Sequence, residues 1–204
     1  MKILVVLAHP NRNSFTGALL DEFVTSAQSV GHSIDTLDLY AEGFDPCYNM
    51  ADVAVYEGRA EASPEVAAEQ KRLMDADAMV FFFPVWWWSM PAILKGWVDR
   101  VFTSGFAFTY EGGKSLGLLK HKKVAMFCPA ASDQGLYRRY GYHGAFQRQI
   151  DAGIFGYCGI TDVETHIFPD VDASEDARVK HLAHTREAAL SFEETSGLGN
   201  DAFC

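Results

Sequence analysis

Basic residues are scarce in this chain: 17 Lys and Arg stand against 27 Asp and Glu in 204 residues, a formal net charge of −10. A nucleic-acid binder needs a basic face to displace condensed counterions, so that class is excluded. An anionic membrane surface would repel the chain as well. Cysteine is sparse. Cys47, Cys128, Cys158 and Cys204 are widely spaced with no C-x-x-C pair, so neither a metal site nor a thioredoxin-like motif is signalled. Such thiols fit a reducing cytoplasm, each expected as a small core residue. No apolar run is long enough to span a bilayer: Met79 to Leu94 is broken by Pro84 and Pro91. The apolar N-terminus breaks at His9, short of a signal peptide. The glycine fingerprint of dinucleotide folds and the G-x-x-x-x-G-K loop are both absent. Any phosphate-bearing ligand must therefore be held largely by backbone N–H groups.

Hydrophobic residues make up 49% of the chain and aromatics 13%, enough for a full core with aromatic surplus for an interface or pocket. The order is apolar strand, polar loop, amphipathic helix, repeated. Strands are expected at Lys2–Ala8, Ser33–Leu39, Ala78–Val85, Lys122–Pro129 and Glu164–Pro169. Helices are expected around Leu19–Ala27, from Ser63-Pro64-Glu65 to about Asp75, after Pro91, over 144–157, and from Asp172 to about Glu193. Residues 41–62, broken by Gly43, Pro46 and Gly58, read as irregular. This alternation predicts one α/β domain over 1–194, a five-stranded parallel sheet of order 2-1-3-4-5 with helices on both faces, and a polar tail over 195–204.

In that order ligands meet the loops beyond the carboxyl ends of the first, third and fourth strands. The first, His9 to Thr16, puts hydroxyls of Ser14 and Thr16 at a helix start, an anion site or a plain N-cap by Asn13 or Ser14. The second, Pro84-Val85-Trp86-Trp87-Trp88-Ser89, carries three consecutive indoles that cannot all face one core. They suit a flat conjugated ring held edge-on, or an aromatic interface cluster. The third, Ala130 to His143, holds Tyr137, Tyr140, Tyr142 and His143. A Tyr and a His together offer proton donation near neutral pH, and equally describe a solvated loop.

Ser63-Pro64-Glu65-Val66-Ala67-Ala68-Glu69-Gln70-Lys71, then Phe83-Pro84, Pro91-Ala92-Ile93-Leu94-Lys95-Gly96-Trp97, Asp99-Arg100-Val101-Phe102 and Gly105-Phe106-Ala107, follow in this order. Together with Leu7-Ala8-His9, Ser14-Phe15, Tyr137 and His143-Gly144, the chain resembles the NAD(P)H:quinone oxidoreductase, or DT-diaphorase-like, flavoproteins over about residues 2–190.

The resemblance implies a flavodoxin-like fold and a cytoplasmic homodimer binding FAD, with FMN the alternative. It implies NAD(P)H as co-substrate and a ping-pong, two-electron reduction of a quinone-like acceptor. His9, Ser14, Phe15 and Thr16 match contacts to the pyrophosphate side. Pro84, Val85, Trp86, Trp87 and Trp88 match the isoalloxazine loop, joined by Pro129, Ala130, Ala131 and Ser132. Arg178, with Asp99 as a companion, matches an arginine near the adenosine half. Tyr137 and His143 match the catalytic pair. Trp88, Phe108, Tyr110, His143 and Tyr157 match acceptor-pocket residues, with Phe108, Tyr110 and Tyr157 supplied by the partner subunit. The family's animal members carry Thr-Thr-Gly-Gly where Pro129-Ala130-Ala131-Ser132 stands here, Phe108 replaces a usual tyrosine, and Trp86 replaces a smaller polar residue. The competing readings are a flavin-binding ancillary subunit of a potassium efflux system and a one-electron flavodoxin-type carrier.

Overall fold

The computed structural model describes residues 1–193. The expected tail from Thr195 and Cys204 lie outside the described residues. Five strands build one parallel sheet: β1 (Lys2–Leu7), β2 (Ser33–Asp38), β3 (Ala78–Phe82), β6 (Lys123–Pro129) and β7 (Val163–Phe168), in the order β2-β1-β3-β6-β7. This is the expected 2-1-3-4-5 order. Two further strands, β4 (Phe108–Glu111) and β5 (Lys114–Gly117), form a separate antiparallel hairpin between β3 and β6.

The central strands are apolar on both sides because helices cover both sheet faces. Ile3, Val5, Leu7, Val80, Phe82 and Phe127 point to one face. There they meet Leu19, Leu20 and Phe23 of α1 (Phe15–Ser29) and Ala189 of α7 (Glu175–Leu190). Leu4, Val6, Met79, Phe81 and Met126 point to the other. They meet Leu73 of α3 (Pro64–Met74), Trp97 and Val101 of α4 (Ala92–Val101), and Phe155 of a π-helical segment, Gln147–Gly156. Trp97 is fully buried, and its indole N–H donates to Glu69 at 3.1 Å.

Local expectations are corrected in three segments, and the hairpin adds an element that was not anticipated. Residues 41–62 contain α2 (Met50–Tyr56), started by a capping box in which Asn49 and Asp52 exchange side-chain and backbone hydrogen bonds. Asp52 then ion-pairs with the buried guanidinium of Arg100 at 3.1 Å, and Arg100 also donates to the Asp45 carbonyl. This tertiary contact decides the position of α2 and is silent in local sequence. The β4–β5 hairpin turns at Gly112 and Gly113, both at positive φ, a Gly-Gly signal for a tight turn. The segment from Ala130 to His143 is not a loop: it holds α5 (Gln134–Tyr140), and α6 (Tyr142–Phe146) follows after Gly141. The helix expected over 144–157 is therefore α6 continued into the π-helical segment. β3 ends at Phe82 rather than Val85, since Pro84 has no N–H to continue the ladder. Cys128 and Cys158 are core residues as expected, whereas Cys47 is exposed.

The π-helical segment is tied to β7 by Thr165, whose hydroxyl donates to Asp151 at 2.8 Å. Burial pushes the Asp151 carboxyl up to about 6, against the lowering effect of that hydrogen bond. A carboxyl raised on folding binds its proton more tightly in the native state. Its contribution to stability is present below its unfolded value and is lost as pH rises through about 6. Asp151→Asn is therefore expected to raise the unfolding midpoint at pH 7.5 relative to the wild type, with little gain at pH 4, in paired thermal melts.

Candidate active site

The carboxyl ends of β1, β3 and β6 lie side by side, and their loops meet at one crevice. The first loop is internally braced. Asn11 donates its N–H to His9 Nδ1 at 3.0 Å, Asn13 donates to the Asn11 side chain at 3.0 Å, and Ser14 donates to the Asn11 carbonyl at 3.1 Å. Ser14, rather than Asn13, caps α1 by accepting from Gly17 at 3.3 Å. Gly17 is required there, because a Cβ would overlap the Arg12 carbonyl. Arg12 is held by Asp21, which pushes its basicity up. Among the described residues the N–H groups of Phe15 and Thr16 have no protein acceptor. They face the direction in which a helix start favours an anion.

The second loop turns abruptly. Trp86 and Ser89 exchange backbone hydrogen bonds, 3.1 Å in each direction, closing a two-residue turn at Trp87 (φ 50°) and Trp88 (φ 57°). Both central residues are left-handed, the geometry of a type I′ turn, which normally selects Asn or Gly. A non-glycine residue held there costs roughly 1–3 kcal/mol. The three indoles diverge: Trp86 leans toward His9 (ring centroids 6.2 Å), Trp87 is 89% exposed, and Trp88 packs on Tyr142 at 4.7 Å. The N–H groups of Trp87 and Trp88 have no protein acceptor among the described residues.

The third loop is anchored on both sides. Pro129 accepts from Val85 at 2.9 Å, Ala130 donates to Phe168 at 2.8 Å, and Asp170, itself left-handed, donates its N–H to Ser132 at 3.2 Å. Asp133 caps α5 by accepting from Leu136 at 2.9 Å. Val85, Trp87, Trp88, Ala130, Ser132 and Tyr137 together enclose a slot of about 110 Å³. Tyr137 is buried, and that burial, with Cys128 nearby, pushes its phenol up to about 12. The phenol therefore stays protonated and able to donate across the physiological range. The slot and the free N–H groups of the Trp turn suit a flat, heteroatom-edged ring, and the bare start of α1 suits a phosphate.

Tyr137 and His143 are neighbours, with ring centroids 5.3 Å apart, yet His143 lines a different cavity, of about 820 Å³, between β7 and the start of α7. Arg178 is exposed on α7 and lines neither space. Asp99, its expected companion, pairs instead with Lys95 one turn away at 2.5 Å. Phe108 and Tyr157 stand apart from the slot. They pack at 5.2 Å and line a cleft of about 560 Å³ with Tyr48, Tyr56 and Phe102. The Tyr157 hydroxyl donates to that of Tyr110 at 2.8 Å. Local sequence gave no sign that Tyr48 and Tyr56 join this cleft, because the placement of α2 and of the segment just before it brings them there.

A family profile described as a flavodoxin-like fold matches residues 1–192. The chain belongs to this flavodoxin-like family. Within the family, it is 33% identical to an NAD(P)H dehydrogenase [quinone] 1 from Rattus norvegicus, over 97% of this chain and 79% of that protein. It is 31% identical to a protein named as an uncharacterized NAD(P)H oxidoreductase from Haemophilus influenzae, over 94% and 96% of the two chains. A solved NAD(P)H:quinone oxidoreductase from Methanothermobacter marburgensis superposes with a TM-score of 0.85 at 28% identity, covering 95% of this chain and 99% of that one. The resemblance read from the ordered motifs is thus borne out.

The strained turn sets up a measurable trade. Trp87 contributes little packing, so Trp87→Gly is expected to leave the unfolding midpoint unchanged or higher, since glycine accepts a left-handed backbone at no steric cost. The same variant is expected to weaken binding of added flavin at least about tenfold, measured by titration of the apoprotein, if the indole covers the bound ring.

Proposed function

We propose that this chain is a flavin-dependent NAD(P)H:quinone oxidoreductase, with FAD as its flavin and the homodimer as its working form. The observation that carries the reading is the slot between the left-handed Trp87–Trp88 turn and the buried phenol of Tyr137. When bound, the flavin supplies hydride transfer from the nicotinamide to itself and on to the acceptor, chemistry that side chains lack. The chain's own residues do the rest. Phe15 and Thr16 receive the phosphates on their free backbone N–H groups, with His9 and the Ser14 side chain beside them, as the acidic surface of the chain requires. Pro84, Val85, Trp86, Trp87 and Trp88 flank the ring, and Pro129, Ala130, Ala131 and Ser132 close its opposite edge.

Tyr137 holds a proton in the slot and donates a hydrogen bond toward negative charge that develops there. His143, one ring away and open to the larger cavity, exchanges that proton with solvent. FAD rather than FMN rests on the motif match at Arg178, whose exposed guanidinium is free to meet a second phosphate-linked half. The homodimer rests on the aromatic cleft of Phe108, Tyr157, Tyr48 and Tyr56, with Tyr110 57% exposed beside it. These rings serve the acceptor pocket only if a second subunit brings them to it. A cytoplasmic location agrees with the free thiols, and no helix among the described residues is long and apolar enough to cross a membrane. The ancillary-subunit reading finds no support in the relatives above.

The test begins with the purified protein. It is expected to be yellow, to release FAD on denaturation by chromatography, and to reduce benzoquinone with NADH or NADPH. Tyr137→Phe and His143→Gln are each expected to slow flavin reduction about ten- to a hundredfold in stopped flow, the range of a placed acid–base group. Flavin affinity should change by less than about threefold, because neither residue is asked to hold the ring by area. Equal reduction rates in wild type and both variants would remove the proton-handling role.

A further inference from the structure

Two imidazole nitrogens converge at the edge of the sheet, outside the slot. His166 stands on β7, an edge strand, and His184 on α7. His184 Nε2 and His166 Nδ1 are 3.0 Å apart, with ring centroids at 4.9 Å and planes 65° from parallel. Both rings line the cavity of about 820 Å³ beside the start of α7. The His166 ring is held from behind, stacked on Phe127 at 4.7 Å. Its other nitrogen, Nε2, is buried and has no hydrogen-bond partner among the described residues. That nitrogen faces the Glu164 carboxylate at 3.7 Å. Glu164 is fixed in turn by the buried ammonium of Lys123 at 2.7 Å.

A hydrogen bond between two neutral rings accounts for the close nitrogens but not for the carboxylate behind them. A buried ring nitrogen without a hydrogen-bond partner calls for an explanation. Metal-bound imidazoles supply one. They turn their second N–H toward a carboxylate, which fixes the tautomer and makes the ligating nitrogen more basic. Lys123, Glu164 and His166 are set in that order, and it leaves His166 Nδ1 as the donor. His184 offers Nε2 once its own proton sits on Nδ1, a tautomeric shift with no change of charge. The distance also fits. Two metal–nitrogen bonds of about 2.0–2.1 Å meeting at a tetrahedral angle span about 3.3 Å. The observed 3.0 Å must therefore open by only about 0.3 Å, and the exposed His184 has room to yield.

We propose that His166 and His184 form an open two-histidine site for a divalent transition-metal ion of the zinc class, with Glu164 orienting His166. Imidazole donors suit zinc, copper and nickel, whereas magnesium and calcium demand oxygen. No third imidazole, carboxylate or thiol converges with the pair among the described residues, so water fills the remaining positions. The cavity supplies the room and the entry path, and Asp170 and Asp176 in its lining offset the charge of Lys180. An ion bound there ties the edge strand to the last helix and stabilises the native chain. The site stands independently of the quinone-reductase reading, since neither histidine lines the slot.

The test is equilibrium dialysis of the tag-free full chain against zinc chloride at pH 7.5. A Cys47→Ser background is used, because that exposed thiol takes zinc by itself. One zinc per chain is expected, with a Kd on the order of 10 µM, since two of the four protein ligands of a structural site are present. Magnesium should not compete. His166→Gln and His184→Gln should each weaken binding at least about tenfold, and Glu164→Gln about tenfold. His143→Gln, whose ring lines the same cavity apart from the pair, should keep the parent Kd. The second readout is thermal. Zinc at about a hundredfold excess over Kd should raise the parent's unfolding midpoint by roughly 5 °C and leave that of His184→Gln unmoved. His184 is exposed, so its replacement tests the site in a folded chain. No zinc bound at about 1 mM free metal, or equal binding by the parent and His184→Gln, would overturn the site. A Glu164→Gln chain that melts earlier but keeps the parent Kd would remove Glu164 from it.

Discussion

Parallel pairing of β3 between β1 and β6 is the constraint from which the site follows. The register sets Leu7 beside Phe82 and Phe82 beside Phe127, so the three strands reach the same edge together. Because the strands run the same way, each returns through a helix on a sheet face, and all three carboxyl ends open on one side. Phe82 and Phe127 stack at 4.9 Å with nearly parallel planes, and Phe23 of α1 closes on both at 5.7 and 5.5 Å. The floor beneath the three loops is therefore densely packed aromatic core. Loops rooted in such a floor can hold a geometry that an isolated peptide would abandon.

The Trp turn is the main use made of that rigidity. Pro84 ends the ladder of β3, Val85 still bonds to Pro129, and the chain then reverses within two residues of unfavourable backbone. The strain is held by the paired hydrogen bonds of Trp86 and Ser89 and by Trp88 packing on Tyr142. What the strain achieves is orientation: free N–H groups at the slot edge, one indole as a wall, one toward His9, and one exposed over the mouth. Arg100 anchors the helix that follows the turn, through Asp52, the Asp45 carbonyl and Glu65 at 3.2 Å, so the excursion carrying α2 is clamped to α4.

Much of this was legible in the sequence, and the misses share a cause. The five sheet strands and most of the long helices announce themselves by hydrophobic pattern and by caps such as Ser63, whose signal is local; the last helix was expected from Asp172, whereas Ser174 caps it. The divergence of the three indoles followed from their being consecutive. The short helices α2 and α5, seven residues each, hold too few turns for a period to show. The hairpin's Gly112-Gly113 signal was present, but its two strands are only four residues each, too short for alternation to stand out. His143 was expected to share a pocket with Tyr137. The two rings do adjoin, but the chain between them folds as helix and turns His143 toward β7.

By itself the sequence determined the α/β class, the strand order, the strand ends that share one edge and the family, because hydrophobic period, turn chemistry and motif order are properties of neighbours along the chain. Tertiary structure alone decided which residues enclose the slot, which ring lies on which, where Arg100 finds its carboxylates, and how far Tyr137 is removed from water. Those are contacts between segments distant in sequence, and their energies depend on burial and direction that no local pattern encodes.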